Sequence, residues 1–118
     1  MGMLKTEKSK LNLKYNFMAI SDVQQKGNYL EVYGSSNKKI SSLHASGLVF
    51  LGVASDFFVV QKGSYFETYD EKSKRISSLH ASRLTFKNAA GSTFNVKKGS
   101  YIESYDKNCK KTGSRYNQ

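Results

Sequence analysis

Short segments of alternating apolar and polar residues, separated by clusters of Gly, Asn, Asp, Ser and Lys, run along most of the chain. In the middle of the chain this pattern predicts four β-strands, at 49–54, 57–61, 65–70 and 75–82. Gly63 supplies the permissive backbone of a hairpin turn between the second and third strands. No segment shows an apolar stripe of helical period. The pattern therefore predicts an antiparallel meander with little or no α-helix.

The same pattern occurs three times. Residues 61–82 are identical to residues 25–46 at 14 of 22 positions, at an offset of 36, and residues 97–118 are a third, more divergent copy. Such self-similarity is the signature of a repeat architecture. The sequence predicts one all-β repeat domain over residues 13–118, made of units at 13–48, 49–84 and 85–118. Residues 1–12 are predicted to be a flexible N-terminal tail.

Composition agrees with a β-rich protein, since the 118 residues include eight Tyr and seven Phe and no Pro. The formal net charge is +10, which favours solubility and attracts polyanions. The single cysteine, Cys109, excludes an internal disulfide and suits a reducing compartment. Neither a signal-peptide-like apolar run near the N-terminus nor a membrane-spanning segment is found. We therefore expect a cytoplasmic protein that does not bind a membrane.

Residues 52–79 resemble a blade of a β-propeller: a Gly-Val-Ala strand precedes an apolar strand, and the third strand ends in Tyr69-Asp70. The third unit keeps this ending as Tyr105-Asp106, whereas the first has Tyr33-Gly34. The repeats are also similar to those of small bacterial proteins carried on mobile elements. Three blades cannot close a ring of the usual four to eight. The resemblance therefore implies half of a six-bladed propeller, completed by a second chain in a homodimer or another homo-oligomer.

Closed monomers with threefold symmetry, a β-trefoil or a β-prism of the monocot-lectin type, are the alternatives. The segment 25–42 has the general run of those lectin repeats, but the sugar-binding series of that family is not kept here. Its mannose chemistry is therefore not expected. For the half-propeller we expect large apolar faces on the two end units, because each would lack a neighbour.

A Tyr-x-Glu-x-Tyr triplet is present in every unit and is the first candidate for ligand binding. Alternation places its three side chains on one face of a strand. Three equivalent Glu residues could form an acidic ring that binds a cation or a polar ligand. The favoured interpretation is that each Glu is satisfied by a repeated Lys, Ser or Tyr hydroxyl, because an unpaired buried charge is very costly. The candidate residues are Tyr29, Glu31, Tyr33, Tyr65, Glu67, Tyr69, Tyr101, Glu103 and Tyr105.

The remaining reactive residues do not predict catalysis. His44 and His80 occupy equivalent positions, but the third unit has Tyr116 there, and a metal site usually needs three or four converging ligands. A nucleophilic pair of Cys109 with a histidine is an unfavoured hypothesis. No nucleophile elbow or phosphate-binding glycine loop is found. We expect no enzyme activity, no metal and no cofactor.

The basic residues fall in two sets of turns that a meander places at opposite ends of its sheets. Together with exposed aromatic rings they could bind a nucleic acid. Alternatively, they only solubilise the sheets and protect strand edges. The leading interpretation is a non-catalytic, self-associating binding or scaffold module, and the alternative is a nucleic-acid-binding protein. The residues of that alternative are Lys26, Lys62, Lys98, Lys74, Arg75, Lys110 and Lys111.

Overall fold

The computed structural model describes residues 19–117, and this part of the chain is all-β. It forms three antiparallel sheets of three, four and four strands, each a meander in chain order. A single 3-10 turn, Ser35–Asn37, is the only helical element of the described residues. The predicted all-β fold with repeated strand units is confirmed. The strands are β1 (Asp22–Lys26), β2 (Tyr29–Tyr33), β3 (Lys39–His44), β4 (Leu48–Val53), β5 (Phe57–Lys62), β6 (Tyr65–Asp70), β7 (Arg75–His80), β8 (Thr85–Ala90), β9 (Thr93–Lys98), β10 (Tyr101–Asp106) and β11 (Lys111–Tyr116).

In the second unit the observed strands match the predicted ones to within two residues at each end. In the first unit the sequence further predicts a strand at 16–20, which lies mostly outside the described residues, as does the whole predicted tail at 1–12. Ile20, the described end of that segment, is buried but is not in a strand. Within residues 19–117 there is no helix of the length and hydropathy that a membrane span requires.

Two kinds of turn join the strands of each sheet. The β5–β6 hairpin has Gly63 at φ +58°, which is the left-handed conformation that a tight hairpin needs at this position. The β6–β7 turn is instead organised by Asp70, whose carboxylate oxygen Oδ1 accepts the backbone N–H groups of Lys72 and Lys74 at 2.8 and 2.9 Å. Asp106 repeats this in the third unit. The Tyr-Asp ending of the third strand is therefore a turn signal.

The sheets stack face to face through two apolar clusters. In the first cluster, Leu30 and Val32 of sheet β1–β3 pack with Phe58 and Val60 of sheet β4–β7. The second cluster joins the opposite face of sheet β4–β7 to sheet β8–β11 and contains Phe57, Val59, Phe66, Phe94 and Val96. At one edge of the stack β4 contacts both β1 and β8. The middle sheet is thus covered on both faces, and its two faces hold the two cores.

The outer face of the first sheet is polar. Asp22 and Gln24 stand where the equivalent strand of the middle sheet has Phe58 and Val60. Both are exposed, and the Gln24 amide donates to the Asp22 carboxylate at 3.0 Å. This face therefore lacks the apolar side chains that would continue the stack.

The outer face of the third sheet is polar in a different way. A chain of side-chain hydrogen bonds crosses three strands, with Ser104 donating to Asn95 and Asn95 donating to Asn88. The middle sheet has Thr68, Val59 and Gly52 at these positions, so the apolar valine is lost. Ile102 is the large apolar residue that this face keeps, and it is buried. The expectation of large apolar faces on both end units is wrong for these sheets, because polar residues replace the core residues there.

Candidate functional site

Each sheet has two ends of different chemistry. We call one the Gly-hairpin end, because it carries the β1–β2, β5–β6 and β9–β10 hairpins, and loops 45–47 and 81–84 also lie there. We call the other the Asp-turn end, because it carries the turns organised by Asp70 and Asp106. Every candidate residue of the sequence analysis lies along a strand between these ends or in one of their turns.

At the Gly-hairpin end, strand register brings three residues together across each sheet. In the middle sheet Lys62 is paired with Tyr65 across the hairpin, and Tyr65 is paired with His80 on the next strand. Paired residues of neighbouring strands point to the same face, so the three side chains form a row. The same register occurs in all three units. We call these the basic–aromatic rows: Lys26–Tyr29–His44, Lys62–Tyr65–His80 and Lys98–Tyr101–Tyr116.

The aromatic rings of each row pack edge to face and remain accessible. Ring centroids are 5.0 Å apart for Tyr29 and His44, 4.9 Å for Tyr65 and His80, and 5.6 Å for the tyrosines of the third unit. The first tyrosine of each row is 46, 45 and 49 % exposed, in chain order. Beside the second row lies a shallow groove of about 280 Å³, lined by Gln61, Ser64 and His80 among others. The rows thus present repeated ring surface to solvent.

The other two residues of each Tyr-x-Glu-x-Tyr triplet are used inside the sheet. The second tyrosine donates its hydroxyl hydrogen to the Glu carboxylate, at 2.6, 2.9 and 2.9 Å in the three units. The second carboxylate oxygen of each Glu is met by a basic side chain eight residues later, at 3.5, 3.0 and 3.4 Å. These partners are Lys39 for Glu31, Arg75 for Glu67 and Lys111 for Glu103. Each glutamate is therefore neutralised within its own sheet.

The titration of these groups follows from the same contacts. The Tyr33 hydroxyl, followed by the Lys39 charge, holds the pKa of Glu31 below its usual value, and Tyr105 and Lys111 do the same for Glu103. Burial, with the hydrogen bond to Glu, raises the pKa of both Tyr69 and Tyr105 to about 12. The charged carboxylate and the neutral phenol are thus the favoured pair of states.

The glutamates do not meet one another. In the described part of the chain no three His, Cys, Asp or Glu side chains form a group that could hold a metal ion. Cys109 lies in the β10–β11 turn at the Asp-turn end, whereas His44 and His80 lie at the Gly-hairpin end. Burial raises the pKa of the Cys109 thiol above its usual value, which lowers its nucleophilic fraction.

The predicted basic residues divide between the two ends. Arg75 and Lys111 are the ion-pair partners of Glu67 and Glu103, and Lys74 and Lys110 lie in the Asp turns. Lys26, Lys62 and Lys98 lie in the rows, and of these Lys26 approaches Glu31 at 3.9 Å. The seven residues therefore do not form one continuous surface.

Charge also separates between the ends. Within residues 19–117, no carboxylate side chain lies in the turns and loops of the Gly-hairpin end; the carboxylates belong to Asp22, Glu31, Asp56, Glu67, Asp70, Glu71, Glu103 and Asp106. Arg83, in the loop between β7 and β8, adds another positive charge to this end. The Asp-turn end mixes both signs, as in the ion pair of Lys107 with Asp56 at 2.9 Å.

Two relationships were missed from the sequence although the repeat carries a signal for each. A basic residue follows each Glu by eight positions, and an aromatic residue follows the first Tyr of each triplet by 15 positions. Both spacings recur in all three units, which is the pattern expected of cross-strand partners.

No protein-family model matches the chain, and comparison with curated proteins finds no significant match.

Proposed function

We propose that the protein is a non-catalytic binding module whose ligand contacts the three basic–aromatic rows. The observation that carries this proposal is the repetition of one exposed Lys–Tyr–His (or Tyr) arrangement at the same end of three stacked sheets. A scaffold needs its buried residues to repeat, but it does not need exposed rings to repeat. Repeated exposed aromatic side chains favour a ligand that is itself extended or repetitive.

The arrangement of the reactive side chains supports a non-catalytic role. The nucleophile of a Cys–His pair must lie within hydrogen-bond reach of its base, and here the two types of residue lie at opposite ends of the sheets. The buried Glu67 and Glu103 already accept a phenol hydrogen and face a cation. A carboxylate held in this way serves stability better than proton transfer.

A binding panel with matched variants tests the proposal. Purified protein is titrated with three labelled probes, a single-stranded oligonucleotide, heparin and poly-glutamate, and Lys62→Ala is compared with Lys72→Ala. Both variants lose one lysine, but Lys62 lies in a row and Lys72 in an Asp turn. We expect at least one probe whose binding is weakened by Lys62→Ala and not by Lys72→Ala. Absence of binding to all three probes, or equal effects of the two variants, would overturn the proposal.

Self-association into a six-bladed ring of two chains is the second part of the proposal. The contact of β4 with both β1 and β8 supports a blade-like arrangement around one edge. In such a ring the outer face of the third sheet would meet the outer face of the first sheet of the other chain. The polar residues of both faces, including Lys97 and Arg115 on the third sheet and Asp22 on the first, mean that hydrogen bonds and charges would carry the interface. We therefore expect a weak, salt-sensitive dimer.

Light scattering over a range of protein and salt concentrations tests this assembly. Dimers should be favoured at high protein and low salt concentration, and Asp22→Lys should weaken them more than Glu71→Lys, which makes the same charge change in an Asp turn. A monomer under all these conditions would overturn the dimer. It would leave the row proposal intact, because the rows lie within one chain.

A further inference from the structure

We infer that the ligand of the basic–aromatic rows is single-stranded nucleic acid, with phosphates on the basic residues of the Gly-hairpin end and bases stacked on the exposed tyrosines. This inference rests on the proposed function and names its ligand class. It also restricts the surface, because it assigns no role to Lys74, Arg75, Lys110 or Lys111 at the other end of the sheets.

The charge distribution at the Gly-hairpin end favours a polyanionic ligand. Four basic residues lie at the Gly-hairpin end, where the described residues place no carboxylate in a turn or loop: Lys62, Lys97, Lys98 and Arg83. Within residues 19–117, no carboxylate lies within ion-pair distance of any of them. Uncompensated positive charge at one end of the sheets is what a phosphate backbone needs. At the Asp-turn end the basic side chains are largely balanced by Asp and Glu. The positive charge of the described residues is therefore most available at the Gly-hairpin end.

The exposed tyrosine rings favour a single strand over a duplex. Tyrosine rings bind bases by stacking on their faces, and these faces are hidden inside a duplex. Packed sheets are about 10 Å apart, and a stacked strand advances about 3.4 Å per nucleotide. One row would therefore bind roughly three nucleotides, and the three rows together would bind roughly nine.

The backbone of Arg83 has a conformation that is unusual for its residue type. This residue has φ +63° in the loop between β7 and β8, and the equivalent residue of the first unit is Gly47 at φ +77°. Glycine is the residue that this conformation favours, so arginine is retained at a cost in stability. A side chain kept against a backbone preference is a candidate for function. Here it adds a permanently charged guanidinium to the loop that follows His80 of the second row.

Fluorescence anisotropy with a labelled oligothymidine of about nine to twelve nucleotides tests the electrostatic argument. Four phosphate contacts predict a slope of about −3 for log affinity against log salt concentration. Lys62→Ala should reduce the slope by about one contact, whereas Lys72→Ala should leave it unchanged. Equal slopes for wild type and Lys62→Ala would overturn the inference.

Two further variants separate binding from folding. Arg83→Gly should raise the melting temperature and at the same time weaken oligothymidine binding several-fold, a combination that loss of structure cannot produce. Tyr65→Leu should weaken binding about tenfold, and Tyr65→Phe, which keeps the ring, much less. If Arg83→Gly leaves the affinity unchanged, or Tyr65→Leu binds as wild type does, the inference is wrong.

Duplex DNA and heparin serve as the comparison ligands. Both carry dense negative charge without accessible base faces, so we expect weaker binding that Tyr65→Leu does not change. If heparin binds in a manner that depends on Lys62 while oligothymidine does not bind, the single-strand inference fails and the binding module stands. If Lys62→Ala affects no probe more than Lys72→Ala does, both fail.

Discussion

Tyr69 donates its hydroxyl hydrogen to a carboxylate oxygen of Glu67 at 2.9 Å, across one intervening residue of the same strand. The other carboxylate oxygen lies 3.0 Å from the Arg75 guanidinium, so the charge of Glu67 is satisfied from two sides. The same arrangement occurs in all three units, but its burial differs. The Glu67 side chain is 6 % exposed, whereas that of Glu31 is 18 % exposed on the outer face of the first sheet.

Glu67→Ala should therefore destabilise the protein more than Glu31→Ala. The first change leaves the partly buried Tyr69 hydroxyl without its acceptor, and we expect a loss of about 2 kcal/mol in the free energy of unfolding. Water can replace the carboxylate at position 31, so the second change should cost clearly less. Urea denaturation of both variants measures the difference. Equal losses would contradict the burial argument.

Alkaline pH should destabilise the fold through Tyr69 and Tyr105. The pKa of each phenol is raised from 10.0 to about 12, first by burial and then by the hydrogen bond to Glu. Because the folded state holds these protons more tightly than the unfolded state does, their contribution is complete below pH 10 and is lost as pH rises toward 12. Tyr69→Phe should remove part of this pH dependence. Melting temperatures and tyrosinate absorbance across this range measure it.

Gly52→Ala should be costly because of its position between two sheets. A Cβ atom at residue 52 would lie 3.0 Å from Cζ of Phe86, whose ring is stacked on Phe94 inside the second cluster. The Phe86 ring also packs against Phe66 and would have to shift, so we expect a loss of about 1–3 kcal/mol.

Gly34→Ala is the matched control. Its Cβ would approach Cδ1 of Ile40 at 2.9 Å, but Ile40 is 38 % exposed and its side chain can rotate away. The expected loss is below about 1 kcal/mol. The two variants are compared by their urea midpoints, and a larger loss for Gly34→Ala would show that the sheet interface is looser than its packing indicates.

Local features of this chain could be predicted because they depend on neighbours in sequence. Alternation placed β6 at its observed limits, and the glycine of each hairpin identified the turn. The favoured interpretation of the triplet is a Glu satisfied by a repeated Lys, Ser or Tyr hydroxyl, and Glu67 does accept the Tyr69 hydroxyl, although its cationic partner is Arg75. These bonds lie within one sheet, where a short spacing encodes them.

Relationships between strands and between sheets were harder to predict. The packing of Tyr65 against His80 depends on the register of β6 with β7, and a bulge between Thr68 and Tyr69 shifts that register. The polar outer faces of the first and third sheets were not predicted. Asp22 and Gln24 have the sequence pattern of ordinary exposed strand residues, and only the burial of their equivalents, Phe58 and Val60, shows that this face could be a core. Which face of a repeat is covered is a property of the stack and not of the unit.

The effect of the polar outer face of the first sheet on self-association can be tested directly. Asp22→Phe with Gln24→Val restores the residues that the middle sheet uses to bury its neighbour. Because an exposed apolar sheet face promotes association, we expect the double variant to form larger assemblies at protein concentrations where the wild type does not. Light scattering measures the average mass.

Gln25→Val is the control for that variant, because Gln25 is also exposed but points to the opposite face of the same strand. This variant adds apolar surface but does not place Phe and Val at positions 22 and 24. Its assembly state should therefore match that of the wild type. If both variants associate equally, exposed apolar area alone drives the association and the outer face has no special role. If neither does, the polar residues at positions 22 and 24 are not what keeps association through this face weak.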